Sequence, residues 1–476
     1  MTLPLEHTSP DSQRSPLAEM LLLAGPTVAQ MASYTVMQFI DTWMLAHFGT
    51  NRSTGLEPTA ASNSGMLSFA LISLGYGALM AVNTLVSQAF GRGDRRSCGQ
   101  YLWQGVWFAI LYAGLLLPLM PAARELFRWF GHDEQLAGVE ATYLRIMIAA
   151  AGLKMVQVVF GQFLLAIDRP VSVLAATLCG VSCNALAAWI FIYGKLGLPP
   201  MGIRGSALGQ NVGVFVEMSV LILLACRKDI RLTYCLSDWK FRWQKFRSIL
   251  TIGLPSGVQI VADVLAWSLF SIWVMAPFGK AAMAANAFTF RYFSVSFMPA
   301  YGISTAVTAL VGRYIGRGMP DVAMHRTGLG FKIAAGYMLA CGVGFLLGRH
   351  VLLRAFTDNA EILRIGATLL VFAAIYQFFD AVYIVYNGAL RGAGDTLVPA
   401  VATGVLCWGI TVLGGRFIAE RFPQWGPSGP WAAATVYGVL LGVFIYTRFA
   451  RGGWRKIQLE AANSNPGGFP VTLRDS

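Results

Sequence analysis

Apolar segments of about 20 residues or more follow one another along almost the whole chain, separated by short polar breaks. A segment of that length is what an α-helix needs to cross the roughly 30 Å hydrocarbon core of a bilayer. About twelve are read, near residues 17–47, 62–90, 100–121, 138–166, 171–194, 203–226, 248–276, 283–315, 327–348, 361–390, 396–417 and 430–450. In hydrocarbon every backbone polar group must be satisfied internally, which leaves helices or closed barrels. The runs are unbroken and lack the alternation of a transmembrane strand, so helices are expected. Composition agrees: 56% of the 476 residues are hydrophobic and only 12% charged, against roughly 25% charged in soluble domains. A soluble globular domain and a disordered chain are both excluded. The expected fold class is an all-α integral membrane protein.

The net charge of +13 raises the question of nucleic acid, and the placement of the charges answers it. With the N-terminus taken as cytoplasmic, the inner loops hold Arg92, Arg95 and Arg96, then Arg227, Lys228, Arg231, Lys240, Arg242, Lys245 and Arg247, then Arg317 and Arg326, and finally Arg448, Arg451, Arg455 and Lys456. The outer loops are sparser. This asymmetry is the positive-inside signal of a multi-pass plasma (inner) membrane protein with both termini cytoplasmic, its basic loops facing anionic lipid. No nucleic-acid partner is expected. The N-terminal stretch lacks a basic region followed by a short apolar one and does not read as a signal peptide. The seven cysteines show no disulfide framework and no zinc spacing.

An internal repeat divides the chain. Gly25-Pro26-x-x-x-Gln30 recurs as Leu254-Pro255-x-x-x-Gln259, Tyr76-Gly77 as Tyr301-Gly302, Gly91-Arg92-Gly93 as Gly316-Arg317-Gly318, and Gly202-x-x-Gly205 as Gly426-x-x-Gly429. The offsets are 229, 225, 225 and 224 residues, from 255−26, 302−77, 316−91 and 426−202. Six segments followed by six similar segments in the same orientation form a parallel repeat, an architecture that places a transport site between halves. The expected division is a tail over 1–16, a first lobe over 17–226, a linker over 227–247, a second lobe over 248–450 and a tail over 451–476.

Ionisable groups at membrane depth are costly and are functional candidates by default. Asp41 lies on the first segment, where Gln30, Tyr34, Gln38 and Asp41 share one helix face. Asp263 lies on the seventh with Gln259 one turn earlier, and Asp380 on the tenth, on a face with Tyr376, Tyr383 and Asn387. Asn184 on the fifth segment is expected to join Asp41. Carboxylates with hydroxyl and amide oxygens suit Na⁺, and a desolvated carboxylate carries H⁺ as readily. Lys154, Arg291 and Glu217 are further charges within segments. Arg291 is expected to pair with Asp263 or Asp380, and Lys154 with Asp41; snorkelling to the interface is the alternative. Pro26 and Pro255 stand inside helices 1 and 7, where a missing backbone bond permits a gating kink. The Gly-Lys pairs at 194–195 and 279–280 lack the rest of a phosphate-binding loop. No ATP and no cofactor are expected, so an ion gradient would drive uphill transport. With no metal cluster or nucleophile motif, the chain is not expected to be an enzyme.

Together these residues resemble the multidrug and toxic compound extrusion (MATE) family, most of all its NorM-type branch. The carriers are Pro26 with Asp41-Thr42, Gly253-Leu254-Pro255-x-Gly257, and Tyr376-Gln377-x-x-Asp380-Ala381 before Leu390-Arg391-Gly392. The resemblance implies two six-helix lobes around a central cavity. It also implies export of cationic, amphipathic drug-like compounds in exchange for Na⁺ or H⁺, by a protein expected as a monomer. It implies a cation site at Asp263, Tyr376 and Asp380 and a further acid at Asp41. Asp263 departs from the Glu usual in that branch. A lipid-linked oligosaccharide flippase of the same superfamily is the alternative, which about fourteen helices or a cavity dominated by Arg291 and Lys154 would favour.

Overall fold

The computed structural model describes residues 15–48 and 56–457, and these are helical almost throughout. The expected tails lie mostly outside the described residues. In chain order the helices are α1 (Pro16–Ala46), α2 (Leu56–Leu79), α3 (Ala81–Gly91), α4 (Arg95–Leu116), α5 (Leu119–Trp129), α6 (Glu134–Ala149), α7 (Ala151–Ala166), α8 (Pro170–Tyr193) and α9 (Ile203–Ala225). They continue as α10 (Lys228–Thr233), α11 (Trp243–Leu269), α12 (Gly279–Gly316), α13 (Pro320–Arg354), α14 (Ala360–Ala393), α15 (Leu397–Leu406), α16 (Gly415–Arg421) and α17 (Ser428–Ala450). Helix starts are written in the sequence. Ser15, Asp94, Asp133 and Asn359 cap α1, α4, α6 and α14 through their side chains, satisfying orphan N–H groups. Gly194 and Gly394 end α8 and α14 in the left-handed conformation.

Among the described residues, nine helical stretches are long and apolar enough to span a membrane, or eleven with two bent pairs counted as single spans. The stretch Trp243–Gly316 contains two helices, α11 and α12, which turn at Gly279. The all-α membrane architecture and the expected segments are therefore present. Three details differ. The fourth segment bends by 46° between α6 and α7, and the third continues past Pro118 into α5 after a 56° bend. The seventh helix starts at Trp243, ahead of the expected residue 248. Its polar first turn escapes an apolar window but is pinned by Phe246, buried in the core of the first half, and by the Arg242 N–H donating to Gln104 Oε1 at 2.9 Å. The preceding linker is strapped to α4: Trp103 donates to the Leu236 carbonyl at 2.8 Å, Gln104 to that of Lys240 at 3.0 Å, and Gln100 to Asp238 at 3.0 Å.

The apolar cores reach across the two halves: α2–α9 build one together with Phe246, Ile249 and Ile252 of α11, the second half builds another together with Met20, Leu23 and Ala24 of α1 and Leu165 of α7, and a third lies within the second half. The halves meet along a seam that uses the repeated glycines. A Cβ on Gly77 of α2 would stand 2.5 Å from the Gly257 Cα of α11, and one on Gly302 of α12 would stand 2.9 Å from the Val28 Cα of α1. Each half thus lays the residues just after its intrahelical proline (Pro26, Pro255) across the other half's glycine. Backbone-to-backbone contact of this kind needs small residues.

Hydrogen bonds tie the seam from mid-depth to the face bearing the basic loops. Thr27 donates to the Gly302 carbonyl at 2.9 Å, Thr84 to that of Arg391 at 2.9 Å, and Gln88 to that of Gly392 at 3.0 Å. Near that face Arg326 meets Glu19 at 2.7 Å, Tyr314 donates to Glu19 at 2.8 Å, and the buried Arg313 reaches Asp168 at 3.0 Å. Toward the opposite face, among the described residues, the two halves share no hydrogen bond or ion pair.

Candidate functional site

The second half holds a cluster of buried acids and phenols. Asp263 projects from α11 and Asp380 from α14, and the two carboxylates lie within electrostatic reach of one another. Tyr383 donates to Asp263 Oδ2 at 3.4 Å, and the Tyr437 hydroxyl also faces that carboxylate. Gln259 positions Tyr383 by donating to its hydroxyl at 3.0 Å and to Thr403 at 2.8 Å. Tyr376 stands next to both acids, its ring held edge-on by Trp267 and Phe293 at 6.2 and 5.2 Å. Gly438 of α17 makes room for that ring, since a Cβ there would fall 2.5 Å from it. Asp263 Oδ1 and Asp380 Oδ2 are buried without a hydrogen-bond partner, and among the described residues neither acid has an ion pair. Orphaned carboxylate oxygens at this depth, ringed by hydroxyls, form a donor set that would suit a monovalent cation or a proton.

The first half splits its polar face in two. Asp41 is buried next to Asn184 of α8, and Asp41 Oδ1 with both polar atoms of the Asn184 amide lacks a partner. One helical turn and more toward the basic face, Glu217 Oε1 of α9 accepts from Tyr34 and from Thr177, each at 2.6 Å. Gln157 and Gln30 donate to the Tyr34 hydroxyl at 3.0 and 3.4 Å. Gly180 and Gly213 let α8 and α9 approach around Glu217.

The expected residues are thus placed as follows. Asp263, Tyr376, Asp380 and Gln259 come together in one half, and Asp41 with Asn184 in the other. Tyr34 joins Glu217 instead of Asp41. Gln38 is exposed on α1. Two expected charge pairings are corrected. Lys154 faces Glu217 and lies 5.4 Å above the Tyr34 ring, because α7 packs against α9. Arg291 is exposed, and among the described residues nothing joins it to Asp263 or Asp380. Helices α1 and α11 run through Pro26 and Pro255 without interruption. Sequence reasoning did not select Tyr437, Thr403, Thr177 or Gln157. Each is an uncharged polar residue on a largely apolar helix, and its place in a transmembrane segment was the available signal.

Comparison with known proteins follows the same lines. The family model described as MatE matches residues 26–190 and 259–415. A probable multidrug resistance protein NorM of Mesorhizobium japonicum is 28% identical over 450 residues, covering 92% of this chain and 94% of the relative. The multidrug resistance protein PmpM of Pseudomonas aeruginosa is 27% identical, covering 94% of this chain and 93% of its own length. Among solved structures, the outward-facing conformation of a multidrug resistance MATE family transporter superposes with a TM-score of 0.85 at 18% identity, over 95% of this chain and 100% of the other. The eukaryotic MATE transporter AtDTX14 gives 0.83 at 17% identity, over 93% and 97%. At such identities the likeness speaks to fold.

Proposed function

The chain belongs to the MatE family, and from that premise we propose that it is a secondary active multidrug exporter, antiporting organic, mostly cationic and amphipathic compounds against Na⁺ or H⁺. It is not an enzyme in this reading and uses no ATP. It sits as a monomer in the plasma (inner) membrane with both termini and the basic loops on the cytoplasmic side. The seam, bonded on the basic face and unbonded toward the other, is the outward-open state of an alternating-access cycle. The relatives named for multidrug resistance support the choice of substrate.

The observation that carries the reading is the pair of uncompensated buried acids, Asp263 and Asp380. Two carboxylates facing one another away from water demand a cation or proton. Tyr376, Tyr383 and Tyr437 supply hydroxyls around them, so Asp263, Tyr376 and Asp380 are candidate Na⁺ ligands. Ion entry from outside would favour the state that releases drug, and ion release inward would permit reloading. Coupling requires only that ion and drug bind the two states with different affinities. Asp41 with Asn184 is a second acceptor site on the same logic.

The test is efflux of organic cations from proteoliposomes with Na⁺ and pH gradients imposed separately. Wild-type protein is expected to respond to one of them, and Asp380→Asn to lose gradient-driven export while still inserting in the membrane. Undiminished export by Asp380→Asn would refute the assignment.

A further inference from the structure

The two acids of the second half leave Lys154 unexplained. It sits just past the bend between α6 and α7, at the middle of its span, where an ammonium is most costly. Glu217 is its electrostatic neighbour but not its ion-pair partner: Glu217 Oε1 is taken up by the hydroxyls of Tyr34 and Thr177. Among the described residues no carboxylate stands within ion-pairing distance of Lys154, whose ammonium lies 5.4 Å from the centre of the Tyr34 ring.

Lys154 lines a cavity of about 60 Å³, together with Gln30, Gln157, Tyr34 and Glu217 from the first half and Thr305 from the second. At roughly 10–15 Å³ for each water-sized site, that volume holds a group of four to six such sites, which is the scale of a carboxylate and its immediate neighbours. One wall carries a second unsatisfied group. Gln157 is 4% exposed, its Nε2 donates to Tyr34, and its Oε1 has no donor. The cavity therefore presents a cation with spare donors beside an acceptor with none. A metal cation is repelled by Lys154, whereas a carboxylate with an adjacent N–H or O–H answers both groups.

We propose that this cavity seats the carboxylate of an amphipathic zwitterionic substrate, with Lys154 as the specificity-determining counter-charge and Gln157 Oε1 receiving a neighbouring donor. The inference rests on the export reading and narrows its substrate class. Thr305 brings the other half to the same cavity, so a shift of the seam changes the lining and provides for release.

The test uses rhodamine B, which carries a free carboxylate, and its ethyl ester, which does not. Binding of each to protein in nanodiscs is followed by fluorescence polarisation. Wild-type protein is expected to bind the acid about tenfold more tightly than the ester, the scale of one charge-assisted contact. Lys154→Met is expected to bring that ratio near one, while Lys154→Arg retains it. Should the Met variant misfold, Lys154→Gln is read instead, with melting temperature as the check on folding. No preference in wild type, or the same preference in Lys154→Met, overturns the proposal. Selective binding of the acid with neither gradient moving either dye would overturn the export reading and leave the site standing.

Discussion

Replacing Glu19 by Gln should loosen the seam at the basic face. Glu19 lies in the first turn of α1, accepts from Arg326 at 2.7 Å and Tyr314 at 2.8 Å, and stands 3.9 Å from Arg313. The side chains of Glu19 and Arg326 are 10% and 12% exposed and that of Arg313 is 1% exposed. Removing one partner of a buried pair costs about 3–5 kcal/mol because the other charge is stranded. The residual exposure and the remaining Asp168 contact of Arg313 argue for the lower end, about 3 kcal/mol. At 1.4 kcal/mol per factor of ten, that is roughly a hundredfold change in an equilibrium constant. A closed seam populated at about 99:1 would then approach parity. Nitroxide labels on Leu232 and Met319, both exposed on the basic face, report this as a second, longer distance population in pulsed dipolar spectroscopy. A lowered melting temperature with an unchanged distance distribution would refute the reasoning, since Glu19 would then support the fold without governing the opening.

Two further outcomes follow from described contacts. Gly77→Val should drive side-chain atoms into the α11 backbone, a clash that neither chain relieves by rotamer change; overpacking costs about 1–3 kcal/mol, and an unchanged melting temperature would refute the close approach. Hydrogen bonds from Gln100, and then the nearby Arg242 and Arg96, hold the Asp238 carboxyl below the usual carboxylate range, so its docking of the linker is fully present above a pH of about 3.9 and is lost as pH falls through the lower folded value. Hydrogen exchange across residues 234–242 should accelerate below that point in wild type, whereas Asp238→Asn should exchange fast at all pH values; identical profiles would refute the role.

The spans were legible because hydrocarbon enforces them: a run such as 171–194 admits one conformation, and α8 occupies Pro170–Tyr193. The bend after Ala150 was not, since no proline marks it. The acids were legible by the same cost argument, Asp263 and Asp380 being expensive wherever their helices pack. Their companions were not, because Tyr437 and Thr403 become neighbours of α11 only through tertiary packing. Lys154 shows the limit most sharply. Its depth was readable from one segment, but whether it faced Asp41 or Glu217 depended on whether α7 packs against α9, which no single segment encodes.

The seam glycines carry a mechanical consequence. Where Gly77 meets Gly257 and Gly302 meets Val28, main chain lies directly against main chain. Interdigitated side chains act as gear teeth and must repack whenever two bodies rotate. Bare backbones act as a plain bearing, on which two rigid bodies tilt with little change in the contact itself. In a rocking of the halves, the points of closest approach would be the ones that travel least, and the repeated glycines would mark the axis.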